Sequence, residues 1–239
     1  MKILITGATS GIGRQLALDY HAEGHEVWAI GRKAEELRRL ELLGLKTHQL
    51  DLLNRQSTLE CFSHFDSLDL AILSAGSCEY IDMPNFDSNL VARVMRVNVE
   101  SMAYSIEALL PALRRSSSAH LVGIGSSAAY LPLPRAEAYG ASKAAIAYLM
   151  KTLRITLKPE NIDVSLVCPG FVETPLTDRN DFPMPCLLTV HQASQFIRAG
   201  IKKKRAEIHF PKRFTYMLKL LSLLPQSWWF KIAQRMIKH

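Results

Sequence analysis

Seven short apolar runs rich in β-branched residues punctuate this chain, at Ile3–Thr6, Val27–Ile30, Thr47–Leu50, Leu70–Leu73, Leu121–Ile124, Val164–Cys168 and Ile208–Phe210. The segments between them carry helical periodicity. Strands that alternate with helices pair in parallel, because each crossover returns the chain to the same end of the sheet. A parallel sheet is covered on both faces and takes its ligands beyond the carboxyl ends of its strands. The expected architecture is therefore α/β, a doubly wound parallel sheet of seven strands with helices on both faces, and its site residues should follow strands.

At 239 residues, 48% hydrophobic and 21% charged, the chain suits one well-buried domain better than two. Four scattered cysteines (Cys61, Cys78, Cys168, Cys186) show no metal-ligand spacing, and the first residues enter a strand without a signal-peptide pattern. Both point to a reducing cytoplasm and no structural metal. The net charge of +7 would suit a nucleic-acid binder, but residues 212–239 hold six Lys/Arg and no acid, so 7 − 6 leaves +1 for everything before. Lys202–Arg205 reads as cations favouring a helix C-terminus, and no interleaved aromatic motif accompanies them. The expectation is no nucleic-acid partner. With no Gly/Ser linker and one composition shift at Pro211, the division is a core of 1–210 and an appendage of 211–239.

Residues 6–13 read Thr-Gly-Ala-Thr-Ser-Gly-Ile-Gly between the first strand and a helix starting near Ile12. Gly7, Gly11 and Gly13 remove side chains where backbone N–H groups, with Thr9, Ser10 and Ile12, can approach a pyrophosphate at the helix N-terminus. After the second strand comes Gly31-Arg32-Lys33, with no acid before Glu35. Two cations at a helix start oppose its dipole unless an anion binds there, so Arg32 and Lys33 favour a 2′-phosphate and NADP(H), with NAD(H) as second choice. Further on, Tyr139-Gly140-Ala141-Ser142-Lys143 places a phenol and an ammonium at i and i+4 on one helix face. A cation favours the phenolate, which predicts a Tyr139 pKa below its ordinary value near 10 and a proton-transfer role.

With the glycine turn, Ser126 and the Tyr139/Lys143 pair together, the chain resembles the short-chain dehydrogenase/reductase family from Lys2 to about Phe210. The resemblance implies a Rossmann-like fold, a homodimer or homotetramer, and reversible hydride transfer between a nicotinamide and a carbonyl or secondary alcohol. Ser126 keeps the family's thirteen-residue interval to the tyrosine; Ser127 is its competitor. Asn98, in the long helical pattern of Ser88–Arg114, takes the fourth catalytic position, holding a water relay to Lys143. Asp51 and Leu52 would meet the adenine, and Ser74-Ala75-Gly76 would line the cofactor. The family's usual Asn-Asn-Ala-Gly is Leu73-Ser74-Ala75-Gly76 here, so Ser74 is expected to take over part of the strand-bridging hydrogen bonding. Leu52–Phe65 reads as one short helix. Pro169, Gly170, Val172 and Thr174 match the turn beside the nicotinamide, and Pro175–Leu188, rich in proline and apolar residues, reads as a mobile loop choosing a hydrophobic substrate. The competing reading is an NADP-binding sensor on the same fold with little turnover.

The appendage has two amphipathic stretches. Phe214, Met217, Leu218, Leu221 and Leu224 form one stripe; after Pro225, Trp229, Ile232, Ala233, Met236 and Ile237 form another, with Lys231, Arg235 and Lys238 opposite. The longest uncharged run, Leu220–Phe230, is eleven residues, short of the roughly 20 that span a bilayer. Two expectations remain open for 212–239: packing over the substrate pocket or a neighbouring subunit, or peripheral contact with the inner face of an anionic membrane.

Overall fold

A computed structural model of the protein describes residues 1–236. Its elements run β1 (Lys2–Thr6), α1 (Gly11–Ala22), β2 (Glu26–Gly31), α2 (Ala34–Leu42), β3 (Lys46–Gln49), α3 (Arg55–Ser63), β4 (Leu70–Leu73), α4 (Ser88–Met95), α5 (Ser101–Arg114), β5 (His120–Ile124), α6 (Glu137–Thr156), β6 (Asp163–Pro169), α7 (Val190–Lys202), β7 (Glu207–Phe210), α8 (Lys212–Leu221) and α9 (Gln226–Gln234). All strand pairs are parallel, in the order β3-β2-β1-β4-β5-β6-β7. The order reverses direction at β1, and there β1, β2 and β4 end in register, with Thr6 opposite both Ile30 and Leu73. That opens a crevice at their carboxyl ends.

Alternate residues of one strand feed opposite faces, so a sheet buried on both sides needs continuous apolar strands. In β1, Leu4 joins Phe62, Leu109 and Ile146 on the side of α3, α5 and α6. Ile3 and Ile5 join Leu16, Leu40 and Ile197 beneath α1, α2 and α7. The seven-stranded α/β architecture expected from the sequence is the one observed.

The third helix is shorter than Leu52–Phe65. The Asp51 carboxylate accepts from Leu53 N–H at 3.1 Å, and the Asn54 side chain caps the helix by accepting from Ser57 N–H at 3.0 Å, so the chain turns before it coils. The helical stretch Ser88–Arg114 is interrupted by a π-helical segment, Arg96–Glu100, which contains Asn98. In the appendage the buried stripe of α8 is Thr215 and Leu218 with part-buried Phe214 and Leu221, whereas Met217 is 48% exposed. Thr215 takes an inward place because its hydroxyl is satisfied, 2.7 Å from His209 Nδ1 and 3.0 Å from the Pro211 carbonyl. On α9, Trp229 and Ala233 face inward and Ile232 and Met236 do not. Ile237 and Lys238 lie outside the described residues.

Candidate active site

The glycine turn is held by steric necessity. Gly7 has φ +66° and Gly11 φ +51°, and a Cβ on Gly7 would sit 2.8 Å from the Ala75 backbone. A Cβ on Gly13 would sit 2.5 Å from the Gly7 carbonyl, so a hydrogen at this position lets α1 rise directly from the turn. Between this turn and the start of α2 lies an open cleft of about 660 Å³, lined by Thr9, Ser10, Gly11, Arg14, Lys33, Ala34, Glu35, Glu36 and Pro175. Lys33 is placed as the sequence suggested. Arg32, just after β2, is exposed and does not line the cleft. The second cation that lines it is Arg14, in the first turn of α1, 3.6 Å from Glu36. Only the spacing of Arg14 after Gly13 could have signalled it.

Strand bridging at the crevice floor differs from expectation. The fully buried Thr6 hydroxyl accepts from Ser74 N–H (3.1 Å) and Ala75 N–H (3.3 Å). Thr6, a strand residue, therefore ties β1 to the chain beyond β4 in place of Ser74. Leu52 is a core residue, so any contact it makes with an adenine uses its backbone. Val172 is buried and bridges Leu188, and Thr174 leans over the glycine turn with Cγ2 3.0 Å from where a Gly11 Cβ would be.

The catalytic candidates converge. Tyr139 lies in the first turn of α6, and the Ser126 hydroxyl, just beyond β5, is near enough to its phenol to favour ionisation. Ser126 Oγ also accepts from Ala128 N–H at 3.1 Å, which fixes its rotamer. Lys143 is buried one turn on, its ammonium donating to the Ile124 carbonyl at 3.0 Å and lying 5.6 Å from the centre of the Tyr139 ring. Burial pulls the Lys143 pKa down to about 8, with the Cys78 and Cys168 thiols opposing the shift. The sequence predicted a lowered Tyr139 pKa. The structure has the opposite direction: burial raises it, the Cys78 thiol adds to the rise, and the Ser126 hydroxyl opposes it. The i,i+4 cation is a neighbour, but it is not among the causes of the shift, which burial dominates, so the phenol keeps its proton at neutral pH.

Asn98 is fully buried in the π-helical segment, an irregularity frequent at functional sites. Its Oδ1 accepts from Ser77 N–H at 2.7 Å, while Nδ2 donates to the Ser77 carbonyl (2.9 Å) and to Ser142 Oγ (2.8 Å). These bonds tie the buried amide to the Ser77 backbone and to α6. Ser142, which sequence reasoning left out, passes the link on by donating to the Tyr139 carbonyl at 2.7 Å.

A Cβ at Gly76 would meet Asn98 Oδ1 tightly, at 3.1 Å, and Lys143 Nζ in ordinary contact at 3.7 Å. The glycine turn and the cleft, with the cations Arg14 and Lys33, suit the phosphates of a dinucleotide. A row of aromatic rings runs through the Pro175–Leu188 segment and its neighbours. Tyr80, Phe182, Phe171 and Phe214 follow one another with ring centres 5.6, 6.1 and 5.7 Å apart. The Pro175–Leu188 segment is pinned there, because Arg135 pairs with both Asp82 (2.7 Å) and Asp181 (2.6 Å), and the Tyr80 hydroxyl donates to Asn180 at 2.8 Å. No cluster of metal-ligating side chains occurs among the described residues.

Comparison with known proteins agrees with this geometry. The family model described as short chain dehydrogenase matches residues 1–182. An uncharacterized oxidoreductase of Myxococcus xanthus is 32% identical over 98% of this chain and 96% of its own. The 11-beta-hydroxysteroid dehydrogenase 1A of Arabidopsis thaliana is 32% identical over 83% of this chain, which spans 60% of that longer relative. A short-chain dehydrogenase from Sphingobium yanoikuyae in complex with NADPH superposes with a TM-score of 0.80 at 22% identity, covering 94% of this chain and 96% of that one. This chain belongs to the short-chain dehydrogenase/reductase family.

Proposed function

We propose that this short-chain dehydrogenase/reductase transfers a hydride between NADP(H) and the carbonyl or secondary-alcohol carbon of a lipophilic substrate, with Tyr139 as general acid/base. The clustering of Ser126, Tyr139 and Lys143 between the end of β5 and the start of α6 carries the reading. The nicotinamide, when bound, supplies or takes the hydride. Ser126 orients the substrate oxygen by hydrogen bonding. Tyr139 gives that oxygen its proton in reduction and takes it back in oxidation, and its raised pKa favours the acid role at neutral pH. Lys143, an ammonium at pH 7, anchors the ribose and keeps a positive charge beside the phenol as it ionises.

Arg14 and Lys33, together in the cleft, support NADP(H) over NAD(H), since both offer charge-assisted bonds to a 2′-phosphate. The row of half-buried rings from Tyr80 to Phe214 supports an apolar substrate, for which the steroid-dehydrogenase relatives offer a starting panel. The test is NADPH and NADH oxidation, followed by absorbance, against ketones and aldehydes of graded hydrophobicity. Turnover should be faster with NADPH and should rise with apolar size. Cofactor binding without turnover of any carbonyl or alcohol would make the protein a sensor.

A further inference from the structure

The appendage is built with two apolar faces, and the fold uses one. Leu218, Trp229 and Ala233 are buried against Leu131, and Trp229 Nε1 donates to the Pro132 carbonyl at 2.8 Å. Phe214 meets the ring of Phe171. On α8, Leu220 points away, about 160° around the helix from Leu218, and is 67% exposed. On α9, Trp228 and Ile232 repeat the i,i+4 spacing of Trp229 and Ala233 one position out of phase, and Trp228 is 61% exposed. Leu223, between the helices, is 80% exposed. Solvent-facing Leu and Trp grouped on two consecutive helices mark a surface that another apolar phase covers.

The charges identify that phase. Residues 212–239 contain no acid. Two of the cations are used internally, Lys219 on Glu207 at 2.9 Å and Lys212 beside His209 at 3.0 Å. Arg213, Lys231 and Arg235 are exposed and make no ion pair among the described residues. A second copy docking through the same face would set acid-free cationic surfaces against each other across a two-fold axis. A bilayer surface carrying anionic headgroups takes both features, with leucines and tryptophan at the acyl boundary and arginine and lysine among the headgroups.

We propose that α8 and α9 dock the protein on an anionic lipid surface through Leu220, Leu223, Trp228 and Ile232, flanked by Arg213, Lys231 and Arg235. Phe214 of α8 joins the aromatic row through Phe171, so a substrate dissolved in the bilayer would enter beside the docked face. That entry route rests on the proposed lipophilic chemistry; the docking does not.

The experiment is co-sedimentation of the full chain with vesicles of phosphatidylcholine alone and of phosphatidylcholine with phosphatidylserine, at low and high salt. The full chain should pellet with the phosphatidylserine vesicles at low salt and be released by high salt. The double variant Leu220→Glu/Trp228→Glu should bind about tenfold or more weakly, while Leu42→Glu, an exposed leucine on α2, should bind as wild type. NADPH binding by each variant, read by fluorescence, checks that the fold is intact and tests the oxidoreductase reading separately. The proposal is overturned if wild type stays in the supernatant with phosphatidylserine vesicles at low salt, or if the folded double variant pellets as wild type does. It is equally overturned if the protein is a dimer that the double variant splits, since the face would then be a self-interface.

Discussion

Lys143 holds its ammonium 5.6 Å from the centre of the Tyr139 ring while donating to the Ile124 carbonyl at 3.0 Å. The hydrogen bond fixes the charge on the sheet side of α6, where burial lowers the Lys143 pKa to about 8. Below that value the ammonium is present; as pH rises through it, the native state loses the proton while the unfolded chain keeps it up to the ordinary value of about 10.4. NADPH affinity should therefore fall as pH rises through about 8, measured by fluorescence titration.

The same shift makes Lys143 a stability cost at neutral pH. Unfolded protein binds more protons than native between the two pKa values, so stability rises with pH across that window. Lys143→Met should stabilise the protein by about 3 kcal/mol near neutral pH, with the gain shrinking above pH 8. Urea denaturation of both proteins on either side of that pH checks the sign.

Arg14→Ala and Lys33→Ala should each remove a charge-assisted contact of about 1.5–3 kcal/mol, weakening NADPH roughly 10- to 150-fold and NADH little. Arg32→Ala, exposed and outside the cleft lining, should change either cofactor by less than about threefold. Isothermal titration with both cofactors separates the three positions.

The parallel seven-stranded sheet was legible because strands covered on both faces are written as apolar runs. The glycine turn and the Tyr139/Lys143 spacing were equally plain, since chemistry there depends on local sequence intervals. What stayed hidden depends on three-dimensional neighbours. Thr6 reads as an ordinary strand residue until its hydroxyl is seen to accept from two backbone N–H groups 68 and 69 residues away. Ser142, inside the tyrosine–lysine motif, gains its role from Asn98, 44 residues distant. The direction of the Tyr139 pKa was misjudged because sequence spacing reveals a nearby cation and says nothing about desolvation.

Thr6→Val tests the strand bridge. It keeps the shape and leaves the Ser74 and Ala75 N–H groups without their acceptor, at a cost of about 1–3 kcal/mol. Urea unfolding should show this loss with an unchanged slope.

Trp229→Ala should undock the appendage by removing a buried ring and its hydrogen bond to Pro132. Trypsin should then cut at Arg213, Lys219 or Lys231 about tenfold faster, with the core and its NADPH affinity intact.

The central claim is that Tyr139 moves the proton. Tyr139→Phe keeps the ring and removes the hydroxyl near Ser126, so NADPH-dependent turnover should fall by about 10²–10⁴-fold while NADPH affinity stays near wild type. Turnover within a few-fold of wild type in that variant, with cofactor still bound, would contradict the account.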